Sequence, residues 1–123
     1  MSSKAQKFGK ESEALATHYL KLSGYRILEC NYRNRIGEID IIAKEGPVLV
    51  FVEVKARQTG RYGSPKNAVT PAKQLKISKT ALAYLKKTGQ LNSKARFDVV
   101  AIDARYNPPD IEVVKNAFEL ACQ

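Results

Sequence analysis

Asp40, Glu53 and Lys55 are the residues of this chain whose types and spacing could do chemistry. Twelve residues separate the two carboxylates, and the ammonium follows two positions after the second. Carboxylates brought together repel, so such a group is unfavourable unless a proton, a cation or a metal compensates. Lys55 offsets part of that charge, and a divalent ion held through oxygen ligands would offset the rest. The plain alternative is an ion pair at the end of a sheet, with Lys55 neutralising Glu53, since structural ion pairs also perturb titration.

The flanking residues decide whether these three side chains can meet. Ile39, Ile41 and Ala43 alternate with Glu38, Asp40, Ile42 and Lys44, the period-2 pattern of a strand with one buried face. Val48 to Val54 is an almost unbroken β-branched and aromatic run, as expected of a central strand covered on both faces. Glu45-Gly46-Pro47 supplies turn chemistry between them, and so short a connection makes the pair an antiparallel hairpin. Phe51, Glu53 and Lys55 then share one face of the second strand. With a loop of two residues (Glu45 and Gly46) or four (Glu45 to Val48), the register brings Asp40 to that face, diagonal to Glu53 or directly opposite, within roughly 5–8 Å.

Charge is more informative by location than by size. The net charge is +9, and from Lys55 to Arg96 there are eleven Lys and Arg residues and no acid. A block of this kind is the electrostatic footprint of a phosphate-backbone partner, with a solvated basic surface as the plain alternative. No apolar run approaches the roughly 18 residues that suggest a membrane span. The N-terminal stretch lacks the apolar segment of a signal peptide, so no membrane partner and a cytoplasmic location are expected. Cys30 and Cys122 are too few and too separated for a disulfide framework or a zinc site, and are expected to be reduced and structural.

At 123 residues the chain is expected to form one domain, residues 1–123. Ala5 to Leu22 reads as a helix whose stripe comprises Phe8, Ser12, Leu15, Ala16, Tyr19, Leu20 and Leu22, ended by Gly24. Glu11 and Glu13 lie at opposite edges of that stripe, and periodicity does not choose between them. Tyr25 to Tyr32 reads as a strand, followed by a polar turn whose Arg33 and Arg35 are available to phosphate. Ala56 to Thr70 reads as a long loop; its Arg57, Arg61, Tyr62 and Lys66 suit a nucleic-acid backbone with one stacking group.

Thr70-Pro71 is an N-cap followed by proline at the first helical position, opening a helix to about Lys87. Lys73 and Lys76 on its first turns join the expected nucleic-acid-binding set. Gln74 falls within its apolar stripe and needs hydrogen-bond partners there, either neighbouring backbone or the site. Ala95 to Asp103 reads as a strand returning through this helix and parallel to the Val48 strand. Ile111 to Val114 reads as a short edge strand, and Asn116 to Cys122 as a final helical turn.

Asp40, then Glu53-Val54-Lys55, resembles the D…(D/E)-x-K motif of restriction-endonuclease-like nucleases. The longer string is more specific: Gly37-Glu38-Ile39-Asp40, then Val50-Phe51-Val52-Glu53-Val54-Lys55-Ala56-Arg57, then Arg96-Phe97-Asp98-Val99-Val100. It resembles the small bacterial YraN-like family of predicted endonucleases, itself similar to archaeal Holliday-junction resolvases, over nearly the whole chain. The resemblance implies an α/β restriction-endonuclease-like core, in the order α-β-β-β-α-β, with a mixed central sheet flanked by helices. It also chooses Glu13, through Gly9-Lys10-Glu11-Ser12-Glu13, although Ser12 departs from the family's usual glycine. By the same resemblance, Glu13, Asp40 and Glu53 bind Mg²⁺ (or Mn²⁺) directly or through water. Lys55 then orients the attacking water, and Gln74 of Lys73-Gln74 positions Lys55 or that water.

Two functions follow as expectations. The first is a metal-dependent endonuclease acting on DNA, branched or junction DNA included, with a homodimer expected by analogy with small resolvases. The second is a non-catalytic nucleic-acid-binding module of the same fold. With His18 as the one histidine, no Ser-His-Asp arrangement can be assembled.

Overall fold

The computed structural model describes residues 3–59 and 69–120. The elements run α1 (Lys4–Leu22), β1 (Arg26–Arg33), β2 (Glu38–Glu45), β3 (Val48–Arg57), α2 (Pro71–Lys87), β4 (Ala95–Asp103) and β5 (Asp110–Phe118). Five strands form one sheet in the order β1-β2-β3-β4-β5, with β3 and β4 parallel and every other neighbouring pair antiparallel. This is the mixed α/β sheet with flanking helices that the sequence implies, compatible with a restriction-endonuclease-like core. The loops Arg61, Tyr62 and Lys66 belong to, and Cys122, lie outside the described residues.

Each helix caps one face of the sheet. Ala16 and Leu20 of α1 pack with Ile41, Ala43, Val50, Val52, Val100 and Ile102 on one side. On the other, Ile77, Ala81, Tyr84 and Leu85 of α2 pack with Ile39, Ile42, Leu49, Phe51, Phe97 and Val99. An aromatic chain crosses this second layer from Tyr32 through Tyr84, Phe51 and Phe97 to Phe118, with ring centroids 5.1, 5.9, 5.8 and 4.8 Å apart. Burial on both faces explains the near-continuous apolar run of β3.

Helix α2 starts where its sequence predicts, and α1 starts at Lys4, one residue before the expected Ala5. The Ser3 hydroxyl and the Gln6 side chain close a reciprocal cap on α1. The Thr70 hydroxyl accepts from the Lys73 amide, with Pro71 at the first helical position of α2. Leu22 is a departure: placed on the apolar stripe by its spacing, it is 75% exposed as the last residue of α1.

Four further expectations are corrected. The β2–β3 turn is Gly46-Pro47, since Glu45 pairs with Val48, and Gly46 takes φ 58° there. The strand β3 continues through Arg57 instead of ending at Lys55. Residues 116–118 are strand, not helical turn: Asn116 adopts φ 52° and its N–H donates to Asp98, and the shifted register carries Phe118 back opposite Phe97. Cys30 is exposed on the edge strand β1 rather than built into the core.

A polar cluster around buried Asp98 ties β2, β4 and β5 to Tyr25, the residue before β1. Asp98, fully buried, accepts from the Tyr25 hydroxyl at 2.8 Å, from Arg96 Nε at 2.9 Å and from the Asn116 N–H at 3.0 Å. Arg96 reaches on to Glu45 at 2.6 Å, which Lys115 also holds at 2.9 Å. Burial and the Asp98 carboxylate push the Tyr25 hydroxyl well above its usual range. Every buried acceptor here has a donor, as a low-dielectric interior requires.

Candidate active site

The regular alternation of β2 breaks at Asp40. Ile39 faces α2, whereas Ile41 and Ala43 face α1, so the strand changes phase between them. The change coincides with Asn31 on the neighbouring strand, whose φ of 55° lies in the left-handed region that asparagine tolerates better than most residues. The β2–β3 ladder ends at Ile41 opposite Val52, a register that sets Asp40 opposite Glu53. Beyond that pair Asp40 Oδ2 takes over the ladder's role, accepting from the Val54 N–H at 2.7 Å. The carboxylate is thereby fixed by backbone.

Glu53 is 92% buried and its carboxyl lies in hydrogen-bonding contact with Asp40. Burial, then the neighbouring Asp40, pushes its pKa up to about 8, while Lys73 pulls the other way. The two acids therefore share one patch, as the hairpin reading required, in the directly opposed arrangement.

The cation paired with Glu53 is not the expected one. Lys73 Nζ, from the first turn of α2, lies 3.3 Å from Glu53 Oε2. Burial works against the Lys73 charge, but Glu53 and Asp40 outweigh it, so its pKa is raised. Lys55 stands beside these groups with its pKa lowered, by burial and by repulsion from Lys73. One ammonium serves as counterion, and the other is tuned toward giving up its proton.

Glu13 completes the wall from α1. A cleft of about 320 Å³ is lined by Gly9, Ser12, Glu13, Asp40, Glu53, Lys55 and Lys73. A Cβ on Gly9 would meet nothing within 4 Å, so the glycine widens the opening beside Glu13. Burial, then Asp40 and Glu38, raises the Glu13 pKa. With its amide nitrogen turned to the acid, as the hydrogen bonding demands, Asn31 donates to both Glu13 oxygens at 2.6 and 3.0 Å. Among the described residues, no three or more His, Cys, Asp or Glu side chains converge tightly enough to form a complete metal-ligand cluster.

Other sequence-predicted residues stand apart. Gln74 turns its amide away, donating to the Val69 carbonyl at 2.9 Å, and is not part of the cleft wall. Arg57 pairs with Asp103 at 2.9 Å. Lys76 opens onto a second groove beside the cleft. Arg61 and Lys66 lie outside the described residues. Sequence reasoning gives Asn31, within the first strand, no role at the site and assigns Lys73 to the binding face alone. The available signal for Lys73 was its position one residue before Gln74, at the start of the helix that follows the Lys55 strand.

The fold and this cleft define an α/β protein with a carboxylate-and-lysine site at one end of a mixed sheet. The chain belongs to the UPF0102 family, an uncharacterised protein family whose model matches residues 12–102. It is 55% identical to a UPF0102 protein of Syntrophus aciditrophicus over 114 residues, 92% of this chain and 89% of that one. A UPF0102 protein of Geobacter metallireducens is 51% identical over 121 residues, covering 98% of this chain and 99% of that one. A third, from Desulfosudis oleivorans, is 50% identical over 119 residues, 97% and 95% of the two chains. This is the group that the YraN-like resemblance indicates. No helix among the described residues is long and apolar enough to cross a membrane.

Proposed function

We propose that the chain is a metal-dependent endonuclease that hydrolyses phosphodiester bonds in nucleic acid, DNA by preference. The observation that carries this reading is the contact between Asp40 and Glu53, with Glu53 held up to about 8 by burial and by its partner. Two acids forced together in this way are relieved by a divalent cation, and hard oxygen donors suit Mg²⁺ or Mn²⁺. Mg²⁺ commonly uses one or two protein carboxylates, with water and substrate phosphate completing its shell, so the donor set fits without a third close ligand. Asp40 and Glu53 would hold the ion, with Glu13 reached directly or through water. When bound, it supplies charge neutralisation at the phosphate and a more acidic water.

The chain's own groups do the rest. Lys55, in the cleft beside Glu53, orients the attacking water. Lys73, charged and at the cleft, offsets the negative charge of the phosphate when Glu53 turns to a cation. Gln74 serves as a positioning residue, since its bond to the Val69 carbonyl fixes the turn that carries Lys73. Cutting both strands of a duplex would need two such sites, which is the basis for expecting a homodimer.

The Lys73–Glu53 ion pair favours a second reading, a non-catalytic nucleic-acid-binding module in which the buried acid already has its counterion. Cleavage assays on linear, flapped and four-way DNA with Mg²⁺, Mn²⁺ or EDTA separate the two. The nuclease reading expects metal-dependent cutting that is lost in Glu53→Ala and in Lys55→Ala. Thermal melts add a second readout: millimolar Mg²⁺ should raise the wild-type melting point and leave Glu53→Ala unmoved. A wild type indifferent to both metals, with and without DNA, sinks the nuclease mechanism.

A further inference from the structure

Beside the cleft lies a larger groove of about 750 Å³ between the Asn34–Gly37 turn and the first turns of α2. Its floor includes Ala72 and Ile77, and its rim carries Arg33, Lys73 and Lys76, with Glu38 as the one acid. Lys73 lines both cavities, so it stands between the groove and the carboxylate site. Lys73 and Lys76 stand three residues apart on one helical face, roughly 5–6 Å between their β-carbons, about one nucleotide step. Among the described residues, Lys76 makes no ion pair, whereas Arg33 pairs with Glu38 at 2.9 Å with both side chains exposed. Such a surface pair is worth little and exchanges readily for a phosphate.

We infer that this groove is the track for one nucleic-acid strand flanking the reacting phosphate, with Lys76 and Arg33 holding its next phosphates and Ala72 and Ile77 lying under its sugars. The inference rests on the nuclease reading and deepens it. It makes the protein asymmetric about the bond it cuts. One flank of the strand is gripped by protein over the start of α2, and the chain turn at Asn34–Gly37 forms the outer wall. A cationic rim over an apolar floor suits a backbone that presents phosphate on one edge and sugar on the other.

The test is fluorescence anisotropy of the full chain with labelled single-stranded and duplex oligonucleotides in EDTA, paired with steady-state cleavage in Mg²⁺. Lys76→Gln and Arg33→Gln should each weaken binding several-fold and flatten the log-log salt slope by about 0.7–0.9, the share of one phosphate. In cleavage each should raise KM with kcat nearly unchanged, because the contact persists from ground state to transition state. Glu38→Gln should tighten binding by removing the only acid on the rim. Lys86→Gln, the same charge change at the far end of α2, should alter affinity less than two-fold. Variants at Lys76 and Arg33 that bind as wild type, or that weaken no more than Lys86→Gln, overturn the groove while leaving the nuclease reading intact. A wild type that binds neither oligonucleotide at low salt overturns both.

Discussion

Lys73 reaches to 3.3 Å from Glu53, so the counterion of the buried acid in the cleft comes from α2 and not from the neighbouring strand position Lys55. The acid and its partner are twenty residues apart in the chain, and only the docking of α2 joins them. A change that loosens the first turn of α2 should therefore be felt first as a change in the titration of Glu53.

That titration predicts a pH dependence. The folded-state pKa of Glu53 is raised to about 8 from 4.5, so between these values the folded state binds more protons than the unfolded one. Its contribution to stability is present in acid and is lost as pH rises through about 8. Melting points of wild type and Glu53→Gln across pH 5 to 9 should diverge in this way: the wild type loses ground as pH rises, and the variant loses less. Lys73→Met should extend the loss to still higher pH. Parallel pH curves for all three proteins would contradict the assignment.

Asn31 should separate backbone from side-chain effects. Glycine adopts a positive φ without steric penalty, so Asn31→Gly keeps the strand geometry while removing both hydrogen bonds to Glu13. Under the nuclease reading, thermal stability should stay near wild type while cleavage or Mg²⁺ affinity falls about 10–100-fold, as for other partners that orient a ligand. Unchanged cleavage would assign Glu13 a bystander's place.

Gly37 is required for close approach. A Cβ there would lie 2.9 Å from Thr80 Oγ1 and 3.0 Å from Lys76 Cγ, and Thr80 is fully buried with its hydroxyl bonded to the Lys76 carbonyl. Gly37→Ala should cost about 1–3 kcal/mol through overpacking. Adding Thr80→Ala should recover part of that loss in denaturant melts. Two losses that simply add would mean that the contact is not the cause.

Asp98, one register position from Glu53 across the β3–β4 pair, anchors a separate buried cluster. Asp98→Ala leaves Arg96 and Tyr25 without their shared acceptor and should cost about 3–5 kcal/mol, while Tyr25→Phe, which removes the bond donated to Asp98 and the one accepted from Arg96 but leaves those two paired with each other, should cost roughly 1.5–3 kcal/mol. Equilibrium unfolding of the two variants measures both. Equal small losses would show that the cluster is not cooperative.

The sequence made the strands and helices legible because their periods are strong, and it brought Asp40 to the face of Glu53 because a two-residue period leaves few registers. It did not fix the turn at Gly46-Pro47, since shifting the loop by one position at each strand leaves the alternation intact. The alternation puts Ile39 on the wrong face, grouping it with Ile41 and Ala43, whereas it packs toward α2. A strand that changes phase at Asp40, opposite a left-handed Asn31, looks regular in a pattern that cannot register φ. The end of β5 was missed for the same reason, because Asn116 lets two apolar groups on either side of a polar pair reach one core. Lys73 looked like any exposed helical lysine, and only the seating of α2 against Glu53 distinguishes it.

The sheet order, β1 to β5 in step with the chain, has a consequence for how the molecule is made. Every residue of the candidate cleft, from Ala5 to Lys73, precedes β4 in the sequence, yet β3 pairs on its far side only with β4. A nascent or truncated chain ending before Ala95 would hold all the chemistry and expose Val50, Phe51 and Val52 along an unpaired edge. Such an edge is a template for self-association. Synthesis therefore passes through a stage in which every cleft residue is already made while the β3 edge is unpaired, and the arrival of β4 ends it.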